Sequence, residues 1–324
     1  MSIFRLHNLK QLILLVVLGF SVITAKASTY FWVGNGGDWM NYSQHWATTT
    51  GGSIFYSQVP GPTDDVVFDA NSFTLPNQFI TTETDSLVCR NMNWTGVQYN
   101  PTFGDVNSFY FTVLNVYGSM TLDPTMSWGF AGRVSFKSNN PGNTINTYDI
   151  PGFNEVRFTS ASGTWNFTND FQCANLFLDC GTIRTGNHSI AALNTIEAVS
   201  TIPVSFFCGT SLISSANTMH LNSASLNIDG DSATFSACDF NSLPSGNFRK
   251  IIIGGNYPLK VTGTNLNVDT LEVSQSQDTF NLESNTSLFT IFNCSAPAIL
   301  YNTNTFQNAT FYNNISTDAN NTFD

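Results

Sequence analysis

Charge of either sign is scarce in this sequence. Lys and Arg together number 11 in 324 residues and Asp and Glu 22, so 10% of the chain is charged. Soluble domains usually carry about 25%. Five lysines and six arginines are too few for a surface that tracks a nucleic-acid backbone, so no nucleic-acid partner is expected. Long segments rich in Ala, Glu, Lys, Leu and Arg are missing, which argues against a coiled coil or helical bundle. G-x-S-x-G, H-E-x-x-H and G-x-x-x-x-G-K-[ST] do not occur, and neither does CxxC or CxxH. The usual signatures of a nucleophile elbow, a zinc protease, a phosphate loop and a structural zinc are therefore lacking.

What is abundant is polar, uncharged and β-prone. The chain holds 38 Asn, 38 Thr, 33 Ser, 28 Phe, 6 Trp and 23 Gly. Such aromatic content is too high for an acidic disordered chain. Thr and Phe favour strands, and Asn, Gly and Ser favour turns.

The first segment has the grammar of a secretory signal peptide. Arg5 and Lys10 precede an apolar run from Leu12 to Ile23, and Ala25-Lys26-Ala27 forms an A-x-A cleavage site. The run is short of the roughly 20 residues that span a bilayer. The mature chain is then expected to begin at Ser28. Loss of Arg5, Lys10 and Lys26, with no acid among them, takes the net charge from −11 to −14. No later stretch is long and apolar enough to span, so no transmembrane segment is expected after signal removal. The expected location is secreted or at the outer cell surface.

Six cysteines follow: Cys89, Cys173, Cys180, Cys208, Cys238 and Cys294. An even number in an exported chain permits disulfides, whose pairing the sequence leaves open. A chain of this length also buries a core without staples, which favours buried thiols.

From Leu114 onward an apolar-x-apolar pattern repeats. It falls at Leu114/Val116, Val134/Phe136, Val156/Phe158, Leu176/Leu178 and Ile196/Ala198, in steps of 20, 22, 20 and 20 residues. A second run falls at Ile251, Leu271, Ile291 and Phe311, in steps of 20. Between them Ser225-Leu226-Asn227-Ile228 breaks phase, as a longer coil would. Strand-like alternation at a fixed short step predicts an all-β solenoid with coils of about 20 residues. Each coil buries its inner face only against the next. Asn at the turns is expected to bond to Asn along the stack.

Residues 28–113 read differently. Trp32, Trp39 and Trp46 recur every seven residues, followed by Pro60-Gly61-Pro62 and Asp64-Asp65-Val66-Val67-Phe68-Asp69. The expected organisation is a signal peptide over 1–27, an N-terminal capping β region over 28–113 and β-helix repeats over 114–324, with the last repeat expected to be truncated.

Thr29-Tyr30-Phe31-Trp32-Val33-Gly34-Asn35-Gly36-Gly37-Asp38-Trp39 and His45-Trp46 resemble the opening of large secreted Bacteroidetes surface proteins. The resemblance continues through Val59-Pro60, Asp64–Phe73 and Cys89–Gly96. The turns Gly163-Thr164-Trp165 and Gly181-Thr182-Ile183 are similar to the family's repeated turns. The resemblance implies a right-handed parallel β-helix, export by the type IX secretion system, and a role tied to adhesion or gliding.

Candidate chemistry is sparse. Asp64, Asp65 and Asp69 could form a cation or acid/base site, but neighbours on a strand point to opposite faces, so loop capping is the simpler role. Asn227-Ile228-Asp229-Gly230-Asp231 starts like a calcium loop, yet Ser232 and Cys238 stand where Gly and Glu are required, so a tight turn is expected. His45, His188 and His220 have no nucleophile at motif spacing. The five glutamates, Glu83, Glu155, Glu197, Glu272 and Glu283, are dispersed, although Glu155, Arg157 and Glu197 could share a surface row. The three early tryptophans suit either a sugar-stacking platform or an aromatic plug closing the solenoid. The plug is favoured because terminal coils need covering. No catalytic, cofactor-binding or metal-ligating residue is assigned, and no cofactor is expected.

The sequence therefore predicts a non-enzymatic structural or adhesive module of an exported surface protein, with extracellular surfaces or polysaccharides as partners. The rivals are a polysaccharide lyase or glycoside hydrolase, and a sugar-binding module, on the same fold. Cleavage is expected after Ala27. N-terminal sequencing of the exported protein should return Ser28, and an intact Met1 would remove the export argument.

Overall fold

The computed structural model describes residues 27–82, 86–104, 112–221, 225–255, 259–274, 277–318 and 320–324. The expected signal segment up to Lys26, and Glu83, lie outside them. The chain is nearly all β, with 54% strand and 1% helix, and winds into a parallel β-helix of about 11 turns. No helix among the described residues is long and apolar enough to cross a membrane.

Each turn contributes to three faces. Face 1 begins with Thr29–Trp32, Asp65–Val67 and Met92–Asn93, stacked in parallel. Face 2 begins with Ser86–Cys89, Val113–Val116 and Arg133–Phe136. Face 3 begins with Gly37–Asp38, Phe79–Thr81, Thr102–Phe103 and Ser127–Trp128. Later strands such as Phe153–Phe167 and Phe171–Arg184 bend round corners and serve more than one face. Parallel stacking therefore reaches back to Thr29, well before Leu114.

Period-2 alternation sends every second side chain inward, and register aligns those side chains between coils. On face 2 one inward column runs Leu87, Leu114, Val134, Val156, Leu176, Ile196, Met219, Phe240, Val261, Leu282 and Leu300. All eleven are at most 1% exposed. The first repeated run thus stacks as expected. The second run does so only in part. Ile251 lies on Leu271, but Leu271 lies on Phe292, not on Ile291. That coil has one extra residue, so Ile291 turns outward and is exposed. Phe311 stacks on Cys294 because the next coil is short, 17 residues from Cys294 to Phe311. At the phase break, Leu226–Asp229 pairs with Val204–Phe207, in a coil of 22 residues.

Corners are tight where the Gly-Thr turns fall. Gly181 has φ +95°, and an added Cβ would press on the carbonyl oxygens of Ser160 and Gly163 one coil below. This is why Gly recurs at 163 and 181, ahead of the inward Trp165 and Ile183, themselves register partners.

Asparagine plays a different part from the one expected. Among the described residues, Asn–Asn side-chain bonds run along the stack from Asn267 Nδ2 to Asn247 Oδ1 at 3.0 Å and from Asn304 Nδ2 to Asn321 Oδ1 at 3.4 Å. More often the amide reaches a neighbouring coil's backbone. Asn143 donates to Thr164 O, Asn154 to Ala131 O and Asn175 to Asn154 O. The Thr147 and Thr210 amides donate to Asn169 and Asn187. An amide carries both donor and acceptor, so it can satisfy corner N–H and C=O groups that no strand partner reaches.

All six cysteines are buried and none is in a disulfide. Burial pushes the thiols of Cys89, Cys173 and Cys208 well above the usual range, so they stay protonated and inert.

Leu176 sits mid-column. Leu176→Ala should lower stability by about 2–5 kcal/mol, and Leu176→Asp by more, because a carboxyl would be buried without a partner. Urea unfolding followed by circular dichroism measures both; a loss below about 1 kcal/mol for the alanine variant would contradict the stacked column.

Candidate functional site

The N-terminal tryptophans are not a surface platform. Trp32, Trp39 and Trp46 are at most 1% exposed. Trp46–Ala47 folds back antiparallel on Thr29–Trp32 and covers the first coil's edge. The rings pack edge to face, Trp32 on Trp46 at 5.0 Å and Trp39 on Trp46 at 4.8 Å. His45, carried on the short helix Tyr42–His45, stacks on Trp32 at 4.5 Å, and its Nδ1 lies 2.8 Å from Val33 O. A Cβ on Gly37 would overlap the His45 ring, which explains a glycine there. His45 is therefore part of the plug.

The early aspartates cap loops. Asp64 accepts hydrogen bonds from the Ser28 and Gly61 amides, each 3.0 Å long. Asp65 receives two nitrogens of Arg90, and Asp69 accepts the Asn71 amide. In the calcium-loop-like stretch, Asn227 and Asp229 lie on a strand and the turn follows Gly230. Among the described residues no group of three or more His, Cys, Asp or Glu is placed to hold a metal ion.

The outer side of face 2 carries the densest charge. Its strands place Arg133 beside Glu155, and Arg157 beside Phe177 and then Glu197. The expected row of Glu155, Arg157 and Glu197 is thus present on one face. Glu155 Oε1 receives Arg133 Nε at 2.6 Å and Arg157 Nε at 2.5 Å. Arg157 also reaches Asp179 at 3.1 Å, and its guanidinium lies 3.8 Å from the centre of the Phe177 ring. The result is an alternating ladder across three coils.

Further along the same face Glu197 neighbours His220, Asp239 neighbours Lys260, and Lys260 pairs with Glu283 at 2.9 Å. Burial pushes the Asp239 carboxyl above its ordinary range, against the pull of Lys260 and His220. Lys250 and Glu272 form a similar pair on face 3 at 2.9 Å. His188 lies away from these, 3.8 Å from Asp170.

Two depressions involve charged residues. A groove of about 660 Å³ on face 2 is walled by Arg133, Lys137 and Arg157 with Tyr117 and Asp179, over a floor that includes Ser135. A shallower one of about 230 Å³ holds Asp231, Asp269 and Arg249. Sequence reading missed the first groove. Its residues are 62 positions apart at the extremes, Tyr117 to Asp179, and only coil register brings them together.

Compared with known protein families, curated proteins and solved structures, the chain matches none.

Proposed function

We propose that this protein is a non-catalytic structural or adhesive module of an exported surface protein. The observation that carries this reading is how the carboxylates are used. Glu155, Glu272 and Glu283 are each tied to cations on adjoining strands. General acid–base work needs a carboxylate free to exchange a proton with a substrate. Glu155 instead has Oε1 engaged by two arginines at once. Pairs of this kind add little stability singly, about 0–1 kcal/mol when partly exposed. Repeated along a stack they fix the register of the outer face. The long polar surface of Asn, Thr and Ser then offers many weak contacts, which add through effective concentration when copies are linked. The resemblance of the opening residues to secreted Bacteroidetes surface proteins supports the same placement at the cell exterior, with export by the type IX route.

The rival enzyme has specific candidates. Asp231 with Asp269 shares a depression, and burial pushes the Asp239 carboxyl above its ordinary range. The purified protein should release no reducing ends and no unsaturated products from a panel of acidic and neutral polysaccharides. Turnover that Asp231→Asn or Asp239→Asn abolishes would replace the structural reading with a carbohydrate-active enzyme.

A further inference from the structure

We propose that the face-2 groove between Tyr117 and Asp179 binds a short acidic sugar chain, one bearing a carboxylate or sulfate among free hydroxyls. The inference rests on the reading of the protein as a non-catalytic surface module and names what that surface holds.

Charge is the first argument. The chain from Ser28 carries eight basic residues, and three of them, Arg133, Lys137 and Arg157, wall this one groove. Two carboxylates, Glu155 and Asp179, answer the two arginines. Lys137 has no ion-pair partner among the described residues, so the groove keeps one uncompensated cation. Arg133 uses Nε on Glu155. Both its terminal guanidinium nitrogens face no hydrogen-bond partner among the described residues. Arg133 and Lys137 stand four residues apart along one extended strand, about 13 Å, so each suits its own carboxylate or sulfate along a sugar chain.

The rest of the lining selects against a dense polyanion. Asp179 can only accept hydrogen bonds while ionised, so a ligand lying against it must donate. Phosphate-rich chains offer acceptors alone, whereas sugar hydroxyls do both. Ser135 on the floor, Thr159 and Asn139 on the wall add further groups of mixed character. Tyr117 is partly exposed at one end and presents a ring against which the apolar side of a sugar can lie. The surrounding chain is strongly acidic, which repels long polyanions and leaves a short oligosaccharide with sparse charge as the matching ligand.

The dimensions agree. The groove spans the coils of Val113–Val116, Arg133–Phe136 and the two that follow, and coils stack at about 4.8 Å. Three such steps give about 14 Å, room for a few sugar rings end to end.

The test is calorimetric titration of the purified protein with trigalacturonate, its methyl ester, a sulfated galactose trisaccharide and inorganic polyphosphate. Saturable binding of at least one acidic trisaccharide is expected, with the two arms deciding between carboxylate and sulfate. Lys137→Gln and Arg133→Gln should each weaken it about tenfold, the value of one lost charge-assisted hydrogen bond. Arg90→Gln, outside the groove, should leave it unchanged. Absence of saturable binding to both acidic trisaccharides, binding indifferent to Lys137→Gln, or tighter binding of polyphosphate would each overturn the proposal. Cleavage of a bound trisaccharide would instead overturn the non-catalytic reading and leave the binding site standing.

Discussion

Register between coils is the constraint from which the rest follows. A parallel strand has no hairpin partner of its own, so each turn depends on the turns above and below for its backbone hydrogen bonds. The inward side chains must then meet their equivalents one coil away. Leu176 touches the same column as Val156 and Ile196 because the backbone leaves no other alignment. A shift of one residue would expose the whole set. The chain holds register with three devices. Apolar columns fill the interior, Asn amides bridge corners, and ion pairs such as Arg133–Glu155 join outer positions. Each is weak as a single contact and effective by repetition.

The first coil of the stack is closed differently from the coils that follow it. At the first coil, Trp46–Ala47 turns back antiparallel and ends the parallel edge. The cluster of Trp32, Trp39, Trp46 and Phe68 fills the space beneath. An edge closed this way offers no template to another strand. At the last described coil, Phe323 stacks on Phe306 at 5.1 Å yet remains 46% exposed. Ile315 and Tyr312 are exposed there as well.

Much of the fold was legible because the core obeys a strict step. Val134, Val156, Leu176 and Ile196 recur at nearly constant spacing, and all four stack. Legibility failed where coil length changed. Ile291 keeps the 20-residue step but not the inward face, since one inserted residue reverses the side chain and no local signal marks it. The N-terminal tryptophans were readable as a plug from spacing and the need to close an end. Their burial bears that out, together with the loop-capping role of Asp64 and Asp69. The groove on face 2 was out of reach. Tyr117, Lys137 and Asp179 carry no motif, and only knowledge of which coil lies on which places them together.

The central claim is one continuous stack in register, closed at its first coil. Native-state hydrogen exchange with residue resolution tests it most directly, because it reports local opening along the chain. The backbone amides of Thr29–Trp32 should exchange as slowly as those of the inner coils around Leu176 and Ile196, with protection declining only toward Ile315–Thr317 and Thr322–Phe323. Rapid exchange at Thr29–Trp32, equal to that of the last coil, would show an unclosed first edge. Separate protected blocks divided by an unprotected coil would contradict the continuous stack itself.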